Sequence, residues 1–135
     1  MKKLTLGELI DKIEPLIKKQ EEVKKKHNDY ANVSFDFCDT VPTGLSSWRG
    51  SYAELAIEWS GGHYESREEM NVIDFLEMLK GAIGKSYTGW KGGDFTMDRD
   101  TRLWVANSGL SGGTGITDVI DEEYYIRLET SFFEF

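Results

Sequence analysis

The sequence predicts an α+β fold: a mainly antiparallel β-sheet with an N-terminal amphipathic helix and a second helix packed on it. Three observations carry this. Apolar residues recur at three-and-four spacing near the N terminus and again around Phe75; the period falls to two between and after these segments; and glycine pairs or clusters interrupt the period-two segments. The resulting order of helix, two strands, helix and four strands suits a sheet with its helices on one side.

The first helix is defined by Leu6, Leu9, Ile10, Ile13, Leu16 and Ile17, which form one apolar stripe behind the capping-box pair Thr5 and Glu8. Pro15 lies inside this stripe, where a missing donor and a crowded preceding turn lead us to expect a kink or a new helix start. From Lys18 to His27 only Val23 is apolar, so the segment reads as a solvated helix or arm. Val33, Phe35 and Phe37 then alternate with Ser34, Asp36 and Cys38, as in a half-buried strand. Pro42 and Gly44 mark 39–44 as an expected turn.

Leu55, Ile57 and Trp59 alternate with Glu54, Ala56 and Glu58 in a second strand, closed by Gly61-Gly62. A second helix is expected over Asn71 to Lys80, with Val72, Phe75, Leu76, Leu79 and Ile83 on one face and Gly84 as its C-terminal cap. Further strands are placed near Tyr87–Trp90, Leu103–Ala106, Ile116–Ile120 and Tyr124–Phe133, the last two joined across Asp121-Glu122-Glu123.

A chain of 135 residues suits one hydrophobic core, and 39% hydrophobic with 13% aromatic residues is enough apolar surface to drive folding. The single cysteine, Cys38, has no internal disulfide partner, and no apolar run approaches the roughly 20 residues that span a bilayer. The Met1-Lys2-Lys3 start leads into an amphipathic pattern and not into the apolar run of an export signal, so a cytoplasmic location is expected, without membrane association.

Charge is divided along the chain. Residues 1–29, a helical lysine-rich segment, hold eight lysines against six carboxylates, whereas 30–135, read as a single acidic α+β domain, hold eight cations against eighteen carboxylates. Such a body disfavours general nucleic-acid binding, which draws its affinity from cations that displace phosphate counterions. It would instead suit occupation of a basic surface on another protein. The first helix could equally pack on a second copy, which makes a homo-oligomer the expected state.

Two turns place an aromatic plane beside a cation, Trp48-Arg49 and Trp90-Lys91, each next to glycine. Aromatic faces stack bases and cations hold phosphates. With Tyr52, Arg102 and Asn107 they supply the parts of a nucleotide-sized pocket, and the glycine-rich stretch from Asn107 to Gly115 adds Ser111 and Thr114 as hydroxyl donors. In this reading Trp48 stacks a base, Arg49 and Lys91 hold phosphate, and Asn107 with Thr114 pairs polar edges. Trp59 and Trp104 fall in strand patterns and are assigned to packing.

No catalytic set is found: His27 and His63 have no partner by spacing, and Cys38 has none nearby. Asp94, Asp98 and Asp100 lack the glycine and terminal glutamate of a calcium loop, so no metal and no cofactor is expected. The chain reads as a binding protein and not as an enzyme.

The segments PTGLSSWRGSYAELAI, FLEMLKGAIGK, GWKGGDFTM and LWVANSGLSGGTGI, spread over 31–135, resemble small phage- and prophage-encoded proteins of uncharacterised or anti-defence type. The resemblance implies either sequestration of a cyclic nucleotide signal by an oligomer or mimicry of DNA. Its expected partner is accordingly a small nucleotide-like ligand or a host defence protein, met in the host cytoplasm.

Overall fold

A computed structural model describes residues 2–37, 40–47, 54–60, 69–88, 94–106 and 113–132. Its elements are α1 (Leu6–Ile17), α2 (Gln20–His27), β1 (Asn32–Phe35), β2 (Val41–Ser47), β3 (Glu54–Ser60), α3 (Val72–Ala82), β4 (Ser86–Thr88), β5 (Asp94–Thr96), β6 (Arg102–Val105), β7 (Thr114–Asp121) and β8 (Tyr125–Phe132). The fold is α+β and begins with the expected helix.

The capping box forms: Glu8 N–H donates to Thr5 Oγ1 at 3.3 Å, and Thr5 N–H donates to Glu8 Oε1 at 3.0 Å. Two of the helix's otherwise orphaned donors are thereby satisfied. α1 runs through Pro15 and ends two residues later, and after Lys18–Lys19 the chain re-enters helix as α2. Leu6, Leu9, Ile10 and Ile13 enter the core, where they join Phe75 and Leu79 of α3. Each such side chain, fully withdrawn from water, contributes roughly 1.5–3 kcal/mol.

The lysine-rich segment is helical and tied down at several points. Gln20, 2% exposed, accepts from Ala31 N–H at 2.9 Å and donates to the Leu16 carbonyl at 3.2 Å, which fixes the bend between α1 and α2 and the approach to β1. Lys19 reaches Asp121 at 3.2 Å and Lys26 reaches Glu123 at 2.7 Å, so the segment pairs with the acidic turn between β7 and β8.

The strands form two three-stranded sheets, β1-β8-β7 and β2-β3-β6, and the pair β4-β5. Pairings β2–β3, β4–β5 and β7–β8 are antiparallel, whereas β1–β8 and β3–β6 are parallel. Residues 4–7 stitch the two larger sheets: Leu4 N–H donates to the Ile116 carbonyl at 2.7 Å on β7, Leu6 N–H donates to Thr101 at 2.9 Å, and Thr5 bridges antiparallel to Arg102 on β6. On the far side of β1, Val33 N–H donates to Met70 at 2.8 Å.

Two expectations need correction. The segment expected to turn at 39–44 contributes 41–44 to β2: Pro42 lies opposite Trp59 and Gly44 opposite Glu58, and the register shift between them takes up Thr43 as the extra residue of a bulge. The short strand β5 was not anticipated, since Asp94-Phe95-Thr96 is too brief for a visible alternation. The helix expected over Asn71 to Lys80 is α3, with Asn71 Oδ1 accepting from Asp74 N–H at 2.8 Å and Gly84 beyond its end at φ +82°. Among the described residues no helix is long and apolar enough to cross a membrane.

Candidate anion-binding site

Alternation along β3 and β6 sorts their side chains onto two faces. Leu55, Ile57, Leu103 and Val105 enter the core, which turns Glu54, Ala56, Arg102 and Trp104 to the opposite face. The parallel register then pairs Glu54 with Arg102 and Ala56 with Trp104. A small second cluster of Ala56, Trp104 and Ala106 backs this face.

Glu54 is the centre of the arrangement. Its side chain is 6% exposed, and its two oxygens have separate partners: Oε1 pairs with the Arg102 guanidinium, and Oε2 accepts from Trp104 Nε1 at 2.8 Å. A carboxylate this buried requires such partners to offset its lost hydration. The Arg102 side chain itself is 62% exposed, so one edge is anchored and the remainder faces outward. A guanidinium has five donors, more than one carboxylate oxygen can occupy.

Lys3 completes the cluster. The antiparallel bridge between Thr5 and Arg102 carries Lys3 alongside Trp104, and its ammonium sits 3.5 Å from the indole centroid. Burial, then the charge of Arg102, push Lys3 below the ordinary lysine range, while Glu54 acts in the opposite sense. Lys3 and Arg102 therefore sense each other's charge, and both feel the buried Glu54 carboxylate. An exposed, anchored guanidinium with a second cation nearby is an arrangement that can hold an anion.

Of the residues that the sequence singled out for binding, Arg102 and Thr114 fall within the described residues. Arg102 belongs to this cluster. Thr114 is the half-buried first residue of β7, paired with Phe132, on the other large sheet. Trp48, Arg49, Tyr52, Trp90, Lys91, Asn107 and Ser111 lie outside the described residues, as do Cys38 and His63. The chain from Trp48 to Ala53 joins β2 to β3 and so leads directly into Glu54.

Lys3 and Glu54 were not expected to take part. The signal for Glu54 lay in the matching alternations Glu54-Leu55-Ala56 and Arg102-Leu103-Trp104, which become informative only once β3 is known to pair with β6. Trp59 and Trp104 pack as expected, Trp59 Nε1 donating to the Ala106 carbonyl at 2.6 Å. Asp98 and Asp100 sit in a turn, with Thr101 Oγ1 accepting from Asp98 N–H at 2.8 Å.

Comparison with protein-family models, with curated proteins and with solved structures returns no match.

Proposed function

We propose that the protein is a non-catalytic, phage-type anti-defence protein that sequesters a nucleotide-derived signal, such as a cyclic oligonucleotide, in the host cytoplasm. The reading rests on one observation: an exposed Arg102 guanidinium held by the buried Glu54 carboxylate, beside the Lys3 ammonium. A cation whose position is already fixed loses little conformational freedom when it pairs with phosphate. This pair of cations also stands out on a chain of net charge −8. Arg102 anchors a phosphate in this proposal, while Trp48, Arg49, Tyr52, Trp90, Lys91, Asn107, Ser111 and Thr114 supply stacking and polar contacts. The working unit is a homo-oligomer.

Calorimetric titration with a panel of cyclic di- and trinucleotides tests the proposal. Saturable binding to at least one member is expected, weakened about tenfold or more in Arg102→Ala and in Arg49→Ala, as loss of a hydrogen bond to a charged group implies. Nucleotide recovered afterwards should be chemically intact. Absence of binding to every member would sink the nucleotide reading, and recovery of a cleaved product would replace sequestration with catalysis. Light scattering reports the oligomeric state.

A further inference from the structure

Residues 3–6 form a strap laid between β6 and β7. Leu4 N–H donates to the Ile116 carbonyl on β7, Leu6 N–H donates to the Thr101 carbonyl just ahead of β6, and Thr5 bridges Arg102. The backbone of Thr5 itself is engaged by α1: its N–H donates to Glu8 Oε1 at 3.0 Å and its carbonyl accepts from Leu9 N–H at 2.9 Å. Lys2 pairs with Glu8 on the same helix turn. The strap is therefore continuous with α1, and it holds the seam between the two large sheets through the Leu4 and Leu6 amides and their buried side chains.

Strand register brings this strap to the anion site. Extending the antiparallel bridge of Thr5 with Arg102 by two residues sets Lys3 opposite Trp104, where its ammonium lies 3.5 Å from the indole centroid. The alternation that sends Leu4 and Leu103 into the core sends Lys3, Arg102 and Trp104 to the other face. Lys3 and Arg102 are then diagonal neighbours across the bridge, roughly 7–8 Å apart at the backbone and within reach of each other's long side chains. Burial and then Arg102 oppose the charge on Lys3, and Glu54 favours it. Arg102 is itself anchored to β3 by Glu54, so its repulsion of Lys3 falls on the strap.

A phosphate group has several acceptor oxygens and can pair with a guanidinium and an ammonium together. Placed between these two side chains, it turns a repulsion across the seam into an attraction. We propose that an anion anchored at Arg102 is also held by Lys3 and thereby locks the strap into the seam between β6 and β7. Occupancy of a site on one sheet is in this way transmitted to β7, on the other. The inference rests on Arg102 as the phosphate anchor proposed above. Such coupling is reciprocal: the factor by which the anion favours the closed strap is the factor by which the closed strap favours the anion.

Amide hydrogen exchange read by NMR tests this with inorganic pyrophosphate, against a chloride control of equal ionic strength. The Arg102 Nε–H signal reports occupancy independently of the strap. Pyrophosphate is expected to shift that signal saturably and to slow exchange at Leu4 and Leu6 about tenfold more than at Val33, the step that one charge-assisted hydrogen bond supplies. Val33 is the reference because its N–H donates to Met70, on the far side of β1. Lys3→Gln should weaken pyrophosphate by a similar factor and abolish the extra protection, and Lys3→Arg should retain both. Lys3 is only half-buried, so either variant should keep the wild-type spectrum on β1. An Arg102 signal that pyrophosphate leaves unmoved would overturn this inference together with the phosphate role of Arg102. A shifted Arg102 signal with Leu4 and Leu6 slowed no more than Val33, or with full protection surviving in Lys3→Gln, would overturn the inference alone and leave the anion site standing.

Discussion

Glu54 and Arg102 stand directly opposite each other on the parallel strands β3 and β6, and their ion pair joins a carboxylate 6% exposed to a guanidinium 62% exposed. The buried partner fixes the exposed one. The same carboxylate accepts the Trp104 indole N–H at 2.8 Å, so its loss also strands a donor on a residue 3% exposed.

Substitutions at Glu54 should separate these two roles. Glu54→Ala removes both interactions and is expected to cost about 2–4 kcal/mol, since it leaves a buried N–H unsatisfied and opens a small void. Glu54→Gln keeps an acceptor for Trp104 and should cost less than half as much. Urea denaturation followed by tryptophan fluorescence measures both. Equal losses would mean that charge, and not the indole hydrogen bond, governs the site.

Gly7 and Gly81 should respond to alanine with opposite signs. A Cβ on Gly7 would lie 2.7 Å from Arg99 Cβ and 2.9 Å from the Arg99 carbonyl oxygen, whereas at Gly81 nothing lies within 4 Å. Alanine favours helix over glycine by about 1 kcal/mol. At Gly81 that gain stands alone, and Gly81→Ala should raise the melting temperature. At Gly7 the clash involves backbone, which also receives the Gly7 N–H at 2.8 Å, so Gly7→Ala should be destabilising by about 1–3 kcal/mol. Thermal melts of the two variants decide the matter.

Gln20 should behave as a latch between α1, α2 and β1. Gln20→Ala leaves the Ala31 N–H, on a fully buried residue, without its acceptor, and a cost of about 1–3 kcal/mol is expected. Hydrogen exchange at Ala31 should accelerate more than at Val33, whose N–H keeps the Met70 carbonyl at 2.8 Å.

Acid should weaken the fold through groups at element ends. Glu8 is held below the usual carboxylate range by the Lys2 ammonium and by the Thr5 N–H, Asp118 by the Val119 N–H and Lys12, and Glu123 by Lys26. A carboxylate whose folded-state pKa is depressed stabilises above its unfolded pKa and loses that contribution as pH falls through the folded value. Stability should therefore hold from neutrality to about pH 4.5 and then decline. Glu8→Gln should flatten part of that decline, because the residue left at this position no longer titrates. All three side chains are at least a third exposed, so added salt should shrink the slope. Urea midpoints across pH at two salt concentrations provide the check.

Much of the local structure was legible because it depends on neighbours within a few residues. Thr5 and Glu8 announced the capping box, the stripe from Leu6 to Ile13 announced α1, and the alternation of Leu55 and Ile57 against Glu54 and Ala56 announced β3. Gly84 marked the end of α3 because its backbone conformation is one that side chains resist. The lysine-rich segment was legible as helix or arm, but its attachment was not, since Asp121 and Glu123 reach Lys19 and Lys26 only after β7 and β8 have formed.

The parallel pairings β1–β8 and β3–β6 were decided by tertiary structure, because hydropathy along one strand records which face is buried and carries no label for its partner. β2 stayed hidden behind Pro42 and Gly44, whose turn chemistry a bulge overrides. The sequence singled out Arg102 as a candidate binding cation. That Glu54 anchors it and that Lys3 lies beside it on the Trp104 ring both depend on strand register, which is fixed only when distant segments compete to bury their apolar faces in one core.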